Sequence, residues 1–351
     1  MRLFVKPFTV HKRFALTIAR GTTAATTNLW LRVLQDGIEG WGEASPFAIA
    51  AEEGQTTAQL LAQVEALIPV LEPLHPWERQ RIEAILQEFG ASSAVRAGID
   101  TAIHDWLGKR ANLPLWRLWG LDRNRIGPIS VTVGIGTPEQ AKERTRNWLK
   151  ILNASLIKVK LGNPDGIECD RAMLLAVREA AHQAQLTVDA NGGWSLADAR
   201  KMCQWLAGQG VLYVEQPLPA GEEEKLAELS APLPIFVDES CWKSADIPRL
   251  APWVQGVNLK LMKAGGLTEI QRAIGVARVL GLQVMFGCYS DSSLANSAML
   301  QLGSLADYLD LDSHLNLQDD PFSGWQLENN RLLPGELPGL GITLREDFLD
   351  F

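Results

Sequence analysis

From residue 129 onward the chain repeats one unit: a short β-rich run, then a helical stretch. The runs fall at 129–133, 156–161, 186–189, 211–215, 235–238, 256–260, 282–287 and 308–312. Each is a few residues long, rich in Val, Ile and Leu, and followed by a segment of helical period, several with clear start signals. Thr137-Pro138-Glu139-Gln140 offers an N-cap, a proline at the first helical position and a capping-box glutamine, and Ser195 can cap the helix through Cys203 and Leu206. Strands joined by helices run parallel. Eight such units predict a (β/α)8-type barrel rather than an open sheet. An open doubly wound sheet would carry a glycine fingerprint after its first strand, and Gly134-Ile135-Gly136 is only a fragment of one.

Nearly every run after the first ends in an ionisable residue. Lys158 and Lys160 end the second, Asp189 the third, Glu215 the fourth, Asp238 the fifth, Lys260 the sixth, and Asp310 and Asp312 the eighth; Asp291 follows the seventh in the next loop. Barrel chemistry is built at the C-terminal ends of strands, so these groups are expected around one mouth. Strand side chains alternate faces, which puts Lys158 and Lys160 on the same side. The plain alternatives are an edge strand with a solvated lysine face and, for a lone acid, a helix N-cap. If instead the two lysines face the interior, each lowers the other's pKa. Three carboxylates in register repel one another unless a cation sits among them. With oxygen ligands alone that cation is hard, Mg²⁺ or Mn²⁺. The five histidines show no HExxH spacing and read as structural or surface residues. A metal flanked by amines suits removal of a proton next to a carboxylate: the metal holds the carboxylate and stabilises the enediolate, one lysine takes the proton, the other returns it on the opposite face. Two opposed bases mean racemisation, epimerisation or a related elimination or cycloisomerisation.

The first third of the chain has a different texture. Runs at 3–5, 14–18 and 29–34 read as strands, and Asp36-Gly37 is a hairpin signal leading into 38–44. The small, polar stretch 21–27 is expected to be a loop. From Thr57 to about Trp119 the period is helical: one helix through Leu60 and Leu67, ended by Pro69 or Pro73, a second over 77–89 and a third over 93–109. The tail is turn-rich (Pro321, Gly324, Pro334-Gly335, Pro338-Gly339) and is expected to return to the N-terminal part. The domains expected are therefore an α+β cap over 1–122 with 316–351 returning to it, and a barrel over 123–315 that carries the site. A net charge of -8 and a pI near 5.3 argue against nucleic acid as a partner. Four scattered cysteines without CxxC fit free thiols in a reducing compartment. The N-terminus lacks the apolar core of a signal peptide, and the most apolar helical stretch is broken by Gln63, Glu65 and Glu72, so a cytoplasmic protein without a membrane partner is expected. A homo-oligomer is expected.

Lys-Val-Lys (158–160), Asp-Ala-Asn (189–191), Glu-Gln-Pro (215–217), Asp-Glu-Ser (238–240) and Asn-Leu-Lys-Leu-Met-Lys-Ala-Gly-Gly (258–266), in this order, resemble the muconate-lactonizing subgroup of the enolase superfamily over nearly the whole chain. The resemblance implies that Asp189, Glu215 and Asp238 hold Mg²⁺ and that Lys160 and Lys260 are the two acid/base lysines. It implies that Lys158 lies by the substrate carboxylate and depresses the pKa of Lys160, and that Lys263 is a supporting or surface residue. Asp310-Leu311-Asp312 resembles the Asp-x-Asp by which dipeptide epimerases hold the α-ammonium of their substrate. Arg20 matches an arginine that meets a glutamate side chain in Ala-Glu epimerases, and Thr132 matches a substrate-contacting threonine. The sequence departs at Gly287-Cys288-Tyr289-Ser290-Asp291: relatives often carry Met and Glu where Tyr289 and Asp291 stand, and an extra acid there favours a basic side chain. Asn191, Tyr289 and Asp291 are further candidates for substrate contact. The implied activity is a Mg²⁺-dependent dipeptide epimerase that moves a proton at the α-carbon of the C-terminal residue, with L-Ala-D/L-Glu the leading substrate. N-acyl amino acid racemase, o-succinylbenzoate synthase and muconate cycloisomerase are alternatives on the same scaffold. A non-catalytic barrel that binds a metal or an amino acid is the alternative of another class.

Overall fold

In the computed structural model, which describes residues 1–47 and 55–348, the chain opens with a three-stranded antiparallel sheet in the order β1 (Arg2–Ile18), β2 (Gly21–Gln35), β3 (Ile38–Ala44). The stretch 21–27, expected to be a loop, is the first half of β2. Its pairing with β1 runs to the tip at Ile18↔Gly21. Threonine hydroxyls pair across it, Thr17 with Thr22 and Thr9 with Thr27, both at 2.8 Å, and a ladder of β-branched residues gives the ribbon its stiffness. One irregularity interrupts the ladder. Between the pairs His11↔Ala25 and Leu16↔Thr23, residues 12–15 of β1 stand opposite Ala24 alone.

Helices Thr57–Leu71, Arg79–Glu88 and Ser93–Ala111 follow. Pro69 does not end the first of them: the helix continues to Leu71, and the Glu72 N–H donates to the Ile68 carbonyl at 2.9 Å. The helix Ser93–Ala111 lies against β3 at backbone range. A Cβ on Gly42 would collide with the Gly98 carbonyl and sit 2.9 Å from the Ala102 nitrogen, so glycine alone permits this approach.

The eight runs form one parallel sheet in sequential order: β4 (Ser130–Val133), β5 (Leu156–Lys160), β6 (Gln185–Asp189), β7 (Val211–Glu215), β8 (Ile235–Val237), β9 (Gly256–Lys260), β10 (Gln283–Gly287) and β11 (Tyr308–Asp310). A parallel bridge between Ile129 and Leu309, with the Ser130 hydroxyl donating to the Leu309 carbonyl at 3.2 Å, brings the last strand to the first. The expected barrel is therefore present. Both sequence-read helix caps hold as well, Thr137 with Gln140 as a capping box and Ser195 on the Asp198 N–H. Among the described residues no helix is long and apolar enough to cross a membrane, and the four cysteines are unpaired.

Register decides what meets what. Lys160 lies opposite Asp189, and Asp189 opposite Glu215; Gly287 lies opposite both Lys260 and Asp310. One alternation below this layer, Tyr213, Phe236 and Met285 form a separate buried cluster inside the barrel. The charged layer thus stands on an aromatic floor that excludes water. Beyond β11 the chain runs back along β1, with Lys12 bridging Leu317 and the His11 N–H donating to Asp319 at 2.7 Å, and then reaches the third helix, where the Leu340 N–H donates to Asp105 at 2.7 Å. Gly42→Ala is expected to lower stability by about 2–3 kcal/mol through overpacking of β3 on Ser93–Ala111, read as a lowered melting temperature without loss of helical signal.

Candidate active site

The solvated-edge alternative for β5 is excluded by burial: Lys158 is 1% exposed and Lys160 7%. Lys158 Nζ lies 2.7 Å from Glu215 and from Asp310 and 3.1 Å from Asp189. Lys160 donates to Asp189 at 2.6 Å. On the far side Lys260, at the end of β9, donates to Asp238 at 2.7 Å. Lys263 is a buried support rather than a surface residue: it donates to the Asp238 carboxylate at 2.6 Å and to the carbonyls of Asp238 and Asn258. Gly287 makes room for Lys260, since a Cβ there would sit 2.9 Å from the lysine's Cε.

Asp189, Glu215 and Asp238 are buried, and each offers a carboxylate oxygen within 4.8 Å of the others. Their charges are not equally matched. Burial alone would raise Asp189, but Lys160 and Lys158 hold it well below the usual carboxylate range, and Lys260 and Lys263 do the same for Asp238. Glu215 is pushed up to about 7 by burial and then by the charge of Asp189. Three carboxylates packed this closely, with Glu215 still raised although Lys158 lies 2.7 Å away, fit a hard divalent cation. The expected lowering of the lysines is not what the structure gives at Lys158. Burial pulls its pKa down, but Asp310, Glu215 and Asp189 together raise it well above the usual value. Lys260 is raised in the same way, against burial, by Asp238. The ring of Tyr289 lies over its ammonium at 4.3 Å.

The other expected residues divide into two groups. Asp310 accepts from Lys158 at 2.7 Å, from Ser130 at 2.8 Å and from the Thr132 hydroxyl at 3.3 Å, while the Thr132 N–H donates to Asp312 at 2.6 Å. Both acids are thus gathered on β4, and burial followed by Asp310's charge raises Asp312 to about 7. The second group lines a cavity of about 600 Å³ at the barrel mouth: Lys160, Lys260, Arg20, Asn191 and Tyr289, with Leu16, Ile18 and Phe47 as apolar wall. Lys158, Thr132, Asp291, Asp310 and Asp312 stand outside that wall. Arg20 is already engaged, 2.7 Å from Glu239 and 3.2 Å from the Asn191 carbonyl. Asn191 donates to Asp189 through its N–H at 2.8 Å and to Glu239 at 3.1 Å. Tyr289 stacks on Phe47 at 4.5 Å, and Asp291, buried, accepts the Tyr289 N–H at 3.0 Å.

Three contributors were missed in the sequence. Asn258 donates to Glu215 at 2.7 Å; alternation back from Lys260 on the same strand would have found it. Glu239 follows a proposed ligand directly and so sits at the mouth. Glu43, at the end of β3, accepts from Asn28 at 2.6 Å, from the Ser292 N–H at 3.0 Å and from the Ala295 N–H at 3.1 Å, tying the 288–292 loop and the start of helix Ser293–Leu300 to the N-terminal sheet. No local motif signals a contact between positions so far apart. If the acidic cluster holds Mg²⁺, a concentration about 100 times Kd adds about 2.7 kcal/mol to stability. The melting temperature is then expected to rise by several degrees, reversibly with EDTA, and the rise is expected to vanish in Glu215→Gln.

Two family models match the chain, "Mandelate racemase / muconate lactonizing enzyme, N-terminal domain" over residues 3–120 and "Enolase C-terminal domain-like" over 139–348. A hydrophobic dipeptide epimerase of Flavobacteria bacterium (strain MS024-2A) is 43% identical, covering 99% of each chain. A hydrophobic dipeptide epimerase of Roseobacter litoralis is also 43% identical, over 95% of this chain and 96% of that one. The crystal structure of a dipeptide epimerase from Enterococcus faecalis V583, complexed with Mg and the dipeptide L-Leu-L-Tyr, superposes with a TM-score of 0.90 at 28% identity, covering 97% of this chain and 99% of that one. With a buried carboxylate triad between lysines at the mouth of a parallel barrel, and matches that span both parts of the sequence, the chain belongs to the enolase superfamily, in the mandelate racemase/muconate lactonizing group.

Proposed function

We propose that this chain is a Mg²⁺-dependent dipeptide epimerase that inverts the α-carbon of the C-terminal residue. The observation that carries the reading is the pairing of two features: a buried lysine on each flank of the acidic triad, and two further acids gathered on β4 beside Lys158. In this reading Asp189, Glu215 and Asp238 hold the metal, which supplies the positive charge that binds the substrate carboxylate and lowers the cost of the enediolate. Lys160 removes the α-proton from one face and Lys260 delivers a proton to the other; the reverse direction exchanges their roles. Lys158 lies by the carboxylate. Asp310 and Asp312 hold the ammonium, and Thr132 fixes both acids. Asn191 ties the metal ligand Asp189 to Glu239 and Arg20, while Tyr289 and Asp291 shape the loop above Lys260. Residues 123–315 act as the catalytic unit and 1–122 with 316–351 as its cap, a division supported by the hydrogen bonds between 11–14 and 316–319.

For the inverted residue an apolar side chain is the better fit. Leu16, Ile18, Phe47 and Tyr289 line the cavity, and the Flavobacteria and Roseobacter relatives, both hydrophobic dipeptide epimerases, support the same choice. Glutamate, as in L-Ala-D/L-Glu, is the second reading. Arg20 on the cavity wall favours it, but Arg20 must then give up Glu239.

The test is incubation with Mg²⁺ and a dipeptide panel in D₂O, followed by NMR. The α-proton of the C-terminal residue is expected to be lost, faster from L-Ala-L-Phe than from L-Ala-L-Glu; no exchange from any dipeptide sinks the assignment. Lys160→Ala and Lys260→Ala are each expected to cut epimerisation by about 10²–10⁴-fold. The ammonium seat also sets a pH dependence. With its pKa raised to about 7, Asp312 is neutral below that pH and negative above it. KM for a dipeptide is therefore expected to fall as pH rises from about 6 to about 7, below the titration of the dipeptide's own ammonium at about 7.7–8, and Asp312→Asn to flatten that part of the profile. An N-acyl amino acid, which has no ammonium, is expected to show no such fall, and a fall of equal size there would point to the racemase alternative.

A further inference from the structure

Lys12 has no part in the reaction described above, yet it lines the same cavity as Lys160 and Lys260 and is only 7% exposed. Its position is built. It is the first residue of the irregular stretch 12–15, where β1 leaves its ladder with β2. Such bulges re-aim a side chain. The freed backbone is pinned instead to the segment after Asp312: Lys12 bridges Leu317, its carbonyl accepts from Gln318 at 3.0 Å, and the Phe14 N–H donates to Asn316 at 2.9 Å. The ammonium therefore enters the cavity from the end of the site where Asp310 and Asp312 lie.

The acids around it are otherwise engaged. Asp310 is paired with Lys158 at 2.7 Å. Asp312 takes the Thr132 N–H and is reserved for the substrate's ammonium. Asp291 takes the Tyr289 N–H on one oxygen, and its other oxygen, though unpartnered, makes no ion pair with Lys12. Among the described residues no carboxylate comes within 4.0 Å of Lys12 Nζ. A buried ammonium without an ion pair is costly, and an anion brought by a ligand offsets that cost.

We propose that Lys12 reads the side chain of the substrate's first residue, so that this chain prefers dipeptides beginning with aspartate or glutamate. The inference rests on the dipeptide reading, because it is the ammonium seat at Asp310 and Asp312 that places the first residue's side chain beside Lys12. The burial that lowers the pKa of Lys12 is consistent with a group awaiting a counter-charge. In the dipeptide reading the second residue's carboxylate would be taken by the metal that Asp189, Glu215 and Asp238 would hold, which leaves Lys12 to the first residue.

The experiment measures kcat/KM for α-proton exchange in D₂O with the Mg²⁺-loaded full chain and L-Glu-L-Phe, L-Gln-L-Phe, L-Ala-L-Phe and L-Lys-L-Phe. Glu and Gln differ in charge at nearly equal size. L-Glu-L-Phe is expected to exceed L-Gln-L-Phe by about tenfold or more, the ratio to fall near one in Lys12→Met, and L-Lys-L-Phe to become the better substrate in Lys12→Glu. Equal rates for L-Glu-L-Phe and L-Gln-L-Phe in the unaltered protein overturn the inference while leaving the dipeptide reading intact, and so does a preference that survives Lys12→Met. Absence of exchange from all four peptides overturns the reading beneath it. If Lys12→Met does not fold, the unaltered protein's Glu-to-Gln ratio decides alone.

Discussion

The structure depends on a layer of buried ammonium–carboxylate pairs at the C-terminal ends of the barrel strands. Lys158, Lys160, Lys260 and Lys263 meet Asp189, Glu215, Asp238 and Asp310, all of them buried. Removing one ion from water costs roughly several kcal/mol even after relaxation. No single pair here returns that cost, because at least one ion in every pair is shared. Lys158 alone touches three acids. The layer survives because the barrel holds its members in register and the aromatic floor beneath them leaves no room to relax into water. Stability is supplied elsewhere, by the aliphatic contacts between strands and helices; the charged layer is carried by that surplus.

This arrangement also divides the labour between the two flanks. Lys160 shares Asp189 with Lys158, so one face is a linked cluster of two cations. Lys260 shares Asp238 with Lys263 and lies under Tyr289. The two lysines are therefore chemically alike but differently surrounded, and the loop that carries Tyr289 is fastened by Glu43 from the N-terminal sheet. Glu43 is itself pushed up to about 7 by burial and by Asp291. The N-terminal domain thus contributes more than a cover: one flank of the site takes its shape from a carboxylate outside the barrel.

Much of this was legible in the sequence. Eight β-rich runs of matching length, each followed by helical period, allow few architectures, and polar residues at the ends of otherwise apolar strands mark the mouth. Alternation alone paired Lys158 with Lys160 and put them on one face. What could not be read is whatever depends on distant chain segments meeting. Stretch 21–27 looked like a loop because its residues are small and polar, yet threonines on a two-stranded ribbon satisfy one another across it. Pro69 and Pro73 both looked like terminators; the helix loses one hydrogen bond at Pro69 and continues, and it stops at Leu71, just ahead of Pro73. Lys263 looked peripheral because the sequence shows no partner for it. Its partner, Asp238, lies on another strand. Arg20 was read by likeness as meeting a substrate, and only the fold reveals that Glu239 reaches it first.

The same limit separates chemistry from selectivity. Lys158, Lys160, Lys260 and the acidic triad stand on or directly after barrel strands, whose register is dictated by period and by closure, so their arrangement can be deduced. Arg20, Lys12, Ile18 and Phe47, which line the cavity from the N-terminal segment, are placed otherwise, Lys12 by a bulge and a few hydrogen bonds to the returning tail. A residue added or lost in 12–15 would re-aim Lys12 while leaving Lys160, Lys260 and the triad where they are. The cavity wall can therefore change within this scaffold by small edits to one strand, without disturbing the charged layer. That separation is a physical reason why one scaffold can host different binding sites.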